Sequence, residues 1–205
     1  TFWLSNQRKY GAWDTPVAEI ASTAVHQVWL NERTGTHDIR SDYYDDALVQ
    51  ALPVLTNEKN ALIVIHLMGC HGSYADRYPE EWKHYSGKSD VIDKYDNAIR
   101  YNDYVLQQLY EALKENPRFK GFVYFSDHGE DVEHNYGHEA SKFTATMSHI
   151  PLFMVVSPSF QAERPQTVET LRSHRDSYWT NDLIYNVMTD LLGIDGVPGT
   201  DLDWD

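Results

Sequence analysis

The run Ala61–Gly69, "ALIVIHLMG", is nearly continuous in apolar and β-branched residues. A strand with that pattern is buried on both faces, which is the situation of a strand in a parallel sheet covered by helices. The surrounding order agrees. "TFWLS" at 1–5 reads as a short strand, and "SNQRKYGAWDTP" as a polar loop after it. A weak helix is expected over 17–25, and "DYYDDALVQALPVL" at 42–55 has helical spacing with an acidic first turn that suits a positive helix N-terminus. A long helix follows, with Ile92, Tyr95, Ile99, Leu106, Leu109 and Leu113 on one stripe and Pro117 as its stop. "GFVYFSD" and "HIPLFMVVS" read as further strands. "YWTNDLIYNVMTDLLGI" reads as a closing helix capped at Asn181, and "GTDLDWD" as a loosely ordered acidic tail. This alternation predicts an α/β fold with a mostly parallel sheet sandwiched between helices.

Composition narrows the possibilities. With 205 residues and 41% hydrophobic content the chain can bury a core, as one domain or two. A formal net charge of -14 makes it a poor partner for a phosphate backbone, so nucleic acid is excluded as a ligand class. The single cysteine, Cys70, excludes an internal disulfide. No apolar run approaches the roughly 18 residues of a membrane span. Thr1 opens directly into a strand, with neither an initiator methionine nor a signal peptide pattern, so the chain is expected to be an excised fragment of a longer protein.

Chemistry gathers where strands end. In open parallel sheets ligands bind beyond the carboxyl ends of the strands. The run at 61–69 ends in Cys70, His71 and Gly72, and "FVYFS" ends in Asp127, His128, Gly129 and Glu130. His134 and His138 follow in a glycine-containing loop. Aspartate and neutral histidine are both ligands for a borderline dication such as zinc. Neighbours on a regular strand point to opposite faces, so Asp127 and His128 share an ion only if the strand has already turned. Gly129 is expected to permit that turn. An isolated Asp-His pair is commonly no metal site at all; the strand-end setting and the nearby histidines favour one here. His66 lies inside the apolar run and reads as a hydrogen-bonded core histidine. His26, His37, His84 and His174 read as surface residues, His149 as structural, and Cys70 as a packing residue.

Four ordered stretches, "HLMGCHGSYADRYP", "YDNAIRYNDYVLQQL", "YFSDHGED" and "HIPLFMVVS", resemble the catalytic domain of bacterial phosphoethanolamine transferases. These enzymes form a sulfatase-like branch of the alkaline phosphatase superfamily. The opening "TFWLSNQ" is similar to the members that modify the lipopolysaccharide core. The resemblance runs from residue 1 to about 195, and it casts residues 1–205 as one sulfatase-like catalytic domain fragment from the C-terminal part of a membrane-anchored protein.

That resemblance implies a zinc-dependent transfer, with one or two ions. A threonine attacks phosphatidylethanolamine, and phosphoethanolamine then passes to a lipopolysaccharide sugar or a lipid A phosphate. It implies a site at the periplasmic face of the bacterial inner membrane, anchored through upstream helices. By resemblance Asp127 and His128 are zinc ligands. His71 contacts the phosphoryl group or a second zinc. His138 is the second catalytic histidine, with His134 as its rival. Glu130 binds a second metal or the ethanolamine ammonium, and Asn6 lines the site.

The chain also departs from the pattern. The family's threonine nucleophile and one further acidic zinc ligand lie upstream of the "WLSNQ" segment, and neither Thr23 nor Thr144 has the right context. The fragment is therefore expected to bind zinc weakly and to have little or no activity alone. A domain lacking its first strand would leave an unpaired sheet edge. One cysteine differs from the disulfide-rich lipid A-modifying members and favours a core-sugar acceptor. Two alternatives stand beside transfer: a sulfatase or phosphodiesterase that gives the group to water, and a non-catalytic domain that binds a phosphorylated glycan or a protein.

Overall fold

A computed structural model describes residues 1–11, 14–31, 41–53 and 60–196. His37, the acidic tail and the last two residues of the helix expected at 42–55 lie outside them. The chain divides into two compact units. One comprises Thr1–Pro117 and Glu130–Thr144; the other comprises Arg118–Gly129 and Ala145–Asp205.

The first unit is built on a parallel sheet whose central strand is β1 (Phe2–Arg8). β2 (His26–Asn31) flanks it on one side and β3 (Ile63–His66) on the other. Both ladders are parallel, and Ser5 sits level with Trp29 and His66. Leu4, Ser5 and Asn6 are buried, whereas β3 is only half-buried along its length. The most enclosed strand is thus the one with the polar sequence "SNQ", and the apolar run at 61–69 contributes a shorter, less buried neighbour. β2 has no counterpart in the sequence expectation, because "HQVWLN" shows little alternation and its first three residues are exposed.

α1 (Thr15–Ala21) begins with a proline in its first turn, a position where the missing N–H costs nothing. It covers 15–21 where the pattern suggested 17–25. α2 (Ala47–Gln50) is a single turn that packs on β1 through the fully buried Leu48.

α3 (Asp90–Lys114) packs against α2. Ser89 caps it, its Oγ accepting from Ile92 N at 3.3 Å, and Asp90 and Asp93 face the positive N-terminus. Its buried face runs through Asp93, Asn97, Ala98, Tyr101, Asn102, Val105, Leu106 and Leu109. That face is rotated from the expected stripe: Ile99 is exposed, and polar residues take its place. The reason is local. Asn97 Oδ1 accepts from His84 N and Tyr85 N at 2.7 and 2.8 Å, and Asp93 accepts from Gly87 N and Lys88 N. These side chains satisfy the backbone of the loop that feeds the helix.

In the second unit β4 (Gly121–Phe125) pairs antiparallel with β5 (Leu152–Val156). Phe122 and Tyr124 both pack on Phe153. α4 (Pro158–Glu163) and α5 (Pro165–Ser173) follow, each opening on a proline, with Phe160 and Val168 buried. α6 (Ile184–Leu192) closes the unit and stops at Gly193, whose φ of 66° is the left-handed conformation of a helix end. Asn181 does not cap α6; it opens a 3-10 turn (Asn181–Leu183) before the helix. The architecture is mixed α/β with a parallel sheet, as the element order predicts. The antiparallel β4–β5 ladder is the part that element order alone did not specify.

Candidate functional site

β1 and β3 run parallel, so their C-terminal ends lie together, and a buried polar network fills the space beyond them. Asn6 Nδ2 donates to Asp45 Oδ1 at 2.8 Å and to Tyr43 O at 3.1 Å, while Asn6 Oδ1 accepts from Ser41 Oγ at 2.6 Å. Asp45 in turn accepts from Met68 N at 3.0 Å and Gly69 N at 2.8 Å. Burial pushes the Asp45 carboxyl above its usual range, against the pull of these donors. Asn6, expected to line the site, spends its amide on the interior. His66 shares a 3.0 Å hydrogen bond with Ser5 Oγ, as suits a core histidine.

The loop after β3 carries His71. Its ring lies 5.1 Å, centroid to centroid, from the ring of His138. His138 Nδ1 is 2.6 Å from Glu130 Oε1, and the Tyr74 hydroxyl donates to Glu130 Oε2 at 2.6 Å. The Glu130 side chain is 5% exposed. Burial and the Glu130 carboxylate raise the Tyr74 phenol, which keeps it a donor at neutral pH. An ionised carboxylate only accepts hydrogen bonds, so both of its partners must donate. The contact to Glu130 therefore calls for a proton on His138 Nδ1. Glu130, expected to hold a metal or an ammonium, has one oxygen engaged by His138 and the other by Tyr74.

His134 belongs to a different cluster. It stacks on Tyr136, and its Nδ1 lies 3.0 Å from Asp131. Asp131 also accepts from Thr144 Oγ1 at 2.6 Å and from His134 N at 3.0 Å, and these donors lower its carboxyl to about 2. Asp131 N donates to Gly137 O at 2.7 Å, which closes the loop between Glu130 and His138. This geometry separates the two histidines: His138 faces His71, and His134 braces the loop.

Cys70 adjoins His71. Burial, with Asp45, Asp103 and Glu130 nearby, pushes its thiol up to about 12.

The second unit holds the Asp-His pair. β4 ends at Phe125, two residues before Asp127, so the turn required for both side chains to face one ion has been made. Asn181 Nδ2 fixes that turn by donating to Ser126 O at 3.1 Å and Asp127 O at 3.0 Å. Ser126 Oγ donates to His128 O at 2.7 Å. His128 Nδ1 lies 3.0 Å from Gly129 O, a contact that a proton on Nδ1 satisfies. His128 Nε2 and Asp127 Oδ2 are 3.9 Å apart, and the Asp127 side chain is 84% exposed. Two donors on one tetrahedral zinc stand roughly 3.4 Å apart, so the pair fits that ion with a small adjustment.

Gly129 serves this turn differently from the expectation. Its φ is not positive. A Cβ there would sit 2.3 Å from Thr146 O, and its N–H donates to Met147 O at 2.7 Å. Close approach of two backbones, rather than a left-handed conformation, demands glycine.

Sequence reasoning passed over Tyr74, Asp45 and Arg77. Asp45 was read as one more acid in a helical first turn, and Tyr74 and Arg77 carried no periodic signal.

The sequence profile of the Sulfatase family matches residues 1–193. Phosphoethanolamine transferase EptC of Escherichia coli (strain K12) is 32% identical over 187 residues, which cover 81% of this chain and 32% of that protein. Phosphoethanolamine transferase OpgE of the same strain is 32% identical over 195 residues, 88% of this chain and 35% of that protein. The chain thus spans about a third of the length of these relatives. The crystal structure of the C-terminal periplasmic domain of EptC from Escherichia coli, in complex with Zn, aligns with a TM-score of 0.67 at 30% identity. That alignment covers 80% of this chain and 50% of the crystallised one.

Proposed function

The chain belongs to the sulfatase family, and from that premise we propose that it is part of a zinc-dependent phosphoethanolamine transferase. The donor is phosphatidylethanolamine and the acceptor a lipopolysaccharide sugar or lipid A phosphate, at the periplasmic face of the inner membrane. The nucleophile is a threonine that lies upstream in the parent protein.

The observation that carries this reading is the donor pair at the exit of β4. His128 is held through Nδ1 by a backbone carbonyl, and its Nε2 stands 3.9 Å from an exposed aspartate oxygen. An orienting partner on the other ring nitrogen is the usual support of a metal-ligating histidine. We assign Asp127 and His128 as the zinc ligands. Zinc held there would lower the pKa of a nucleophilic hydroxyl and offset charge on the phosphoryl oxygens.

Within the first unit, His71 and His138 are the residues we assign to the phosphoryl group. His138, held against Glu130 at 2.6 Å, is assigned to proton transfer with an attacking hydroxyl. His71, 5.1 Å from it, approaches the phosphoryl oxygens as a donor. Glu130 acts by fixing the His138 tautomer, and Asn6 by holding Asp45.

Zinc titration of the purified chain tests the assignment. Binding is expected in the wild type and is abolished by Asp127→Ala and by His128→Ala, with circular dichroism unchanged. Equal zinc binding by the wild type and both variants overturns it.

A further inference from the structure

His71 sits on a loop, yet the backbone of that loop is held from both sides by buried charges. On one side Asp45 accepts from Met68 N and Gly69 N, one carboxylate oxygen for each. On the other side Arg77 donates from Nε to His71 O at 3.0 Å and from Nη2 to Gly72 O at 3.0 Å. Gln7 Nε2 secures the start of the loop through Leu67 O at 2.8 Å. Asp45 and Arg77 are 7% and 6% exposed. Burying charges is unfavourable unless they are well partnered, and here the partners are the main chain on either side of one histidine. Two further details fit a held loop. Gly69 takes a φ of 58°, and Ser73 takes a φ of 63°, a conformation side-chain-bearing residues seldom adopt.

We propose that Asp45 and Arg77 are positioning residues that together fix the main chain around His71 and so aim its imidazole at the phosphoryl group. The geometry divides the work by chemistry. A carboxylate can only accept, so it takes the N–H groups before His71. A guanidinium can only donate, so its fork takes the carbonyls of His71 and Gly72. Asn6 extends the support to β1 by donating to the same Asp45 oxygen that receives Met68 N. The proposal rests on the reading of His71 as a phosphoryl-contacting residue.

The test compares Arg77→Lys and Asp45→Asn with the wild type by NMR of the histidine side chains, with phosphoethanolamine as the probe ligand. Lysine keeps the charge but not the planar fork, so it cannot reproduce both carbonyl contacts. Asparagine keeps the shape, but its NH2 opposes one of the donating amides. In both variants the His71 ring signals are expected to shift and broaden, while those of His174, an exposed residue bonded to Thr170 O, stay in place. Phosphoethanolamine binding is expected to weaken by roughly tenfold, the lower end of what loss of an orienting partner costs. Folded variants with wild-type His71 signals and affinity overturn the proposal. If His71 moves in the variants but the wild type binds no phosphoethanolamine, the positioning role stands and the functional reading falls. If Asp45→Asn does not fold, Arg77→Lys decides alone.

Discussion

His138 Nδ1 lies 2.6 Å from Glu130 Oε1, within a side chain that is almost wholly enclosed. A proton on Nδ1 satisfies this contact. The ¹⁵N shifts of His138 should therefore show a proton on Nδ1. Glu130→Ala should release the ring to a mixture of tautomers. In the proposed full-length transferase it should also lower activity by about 10- to 100-fold. Glu130→Gln should be an imperfect rescue, because its NH2 opposes a donor on one side or the other. A His138 tautomer unchanged in Glu130→Ala would refute the orienting role.

Gly129→Ala places a methyl group 2.3 Å from Thr146 O, where the opposing atom is backbone and cannot swing aside. Overpacking of this kind costs about 1–3 kcal/mol. The expected result is a lower urea midpoint together with weakened zinc binding, since the turn that presents His128 must move. Unchanged stability would mean that the two segments separate easily.

Asp131 gives the acid limb of stability a definite sign. Its carboxyl falls from an ordinary 3.8 to about 2, through Thr144 first and His134 next. A depressed carboxyl stabilises the fold fully above the unfolded value and loses that contribution as pH falls through the folded one. Thermal melts should therefore lose stability between about pH 4 and pH 2 in the wild type. That loss should be smaller in Asp131→Asn. Asp45 has the opposite sign, because burial raises it: its contribution is full below 3.8 and fades as pH rises through its folded value.

Ser89→Ala removes the hydroxyl that accepts from Ile92 N at the start of a 25-residue helix. The expected cost is about 1 kcal/mol, read by denaturant titration. Ser89→Asp, which also accepts and adds a charge at the positive end, should restore it.

The sequence was informative where residue type and position coincide. α3 was readable because a long apolar period ends in proline, and β4 because an aromatic and β-branched run ends in charge. The Asp127–His128 pair stood out for the same reason. β2 was missed because an edge strand needs no strong pattern. β1 carried its burial in Ser5 and Asn6, which a hydropathy reading takes for a loop. Asp45 and Arg77 escaped because their role depends on backbone groups that have no letter in the sequence. Between His134 and His138, spacing could not decide; the partner of each Nδ1, Asp131 in one case and Glu130 in the other, distinguishes them.

The division of the chain into two units interleaves them in synthesis. Residues 130–144 complete the first unit, yet they are made after β4, the opening strand of the second. The contact from Tyr74 to Glu130 spans 56 positions, so it forms against a substantial loop-closure entropy. A nascent chain can pair β1 with β2 and β3 and wind α3 long before His138 leaves the ribosome. The histidine pair is then the late product of folding, and a chain interrupted at any earlier point carries a sheet without its chemistry.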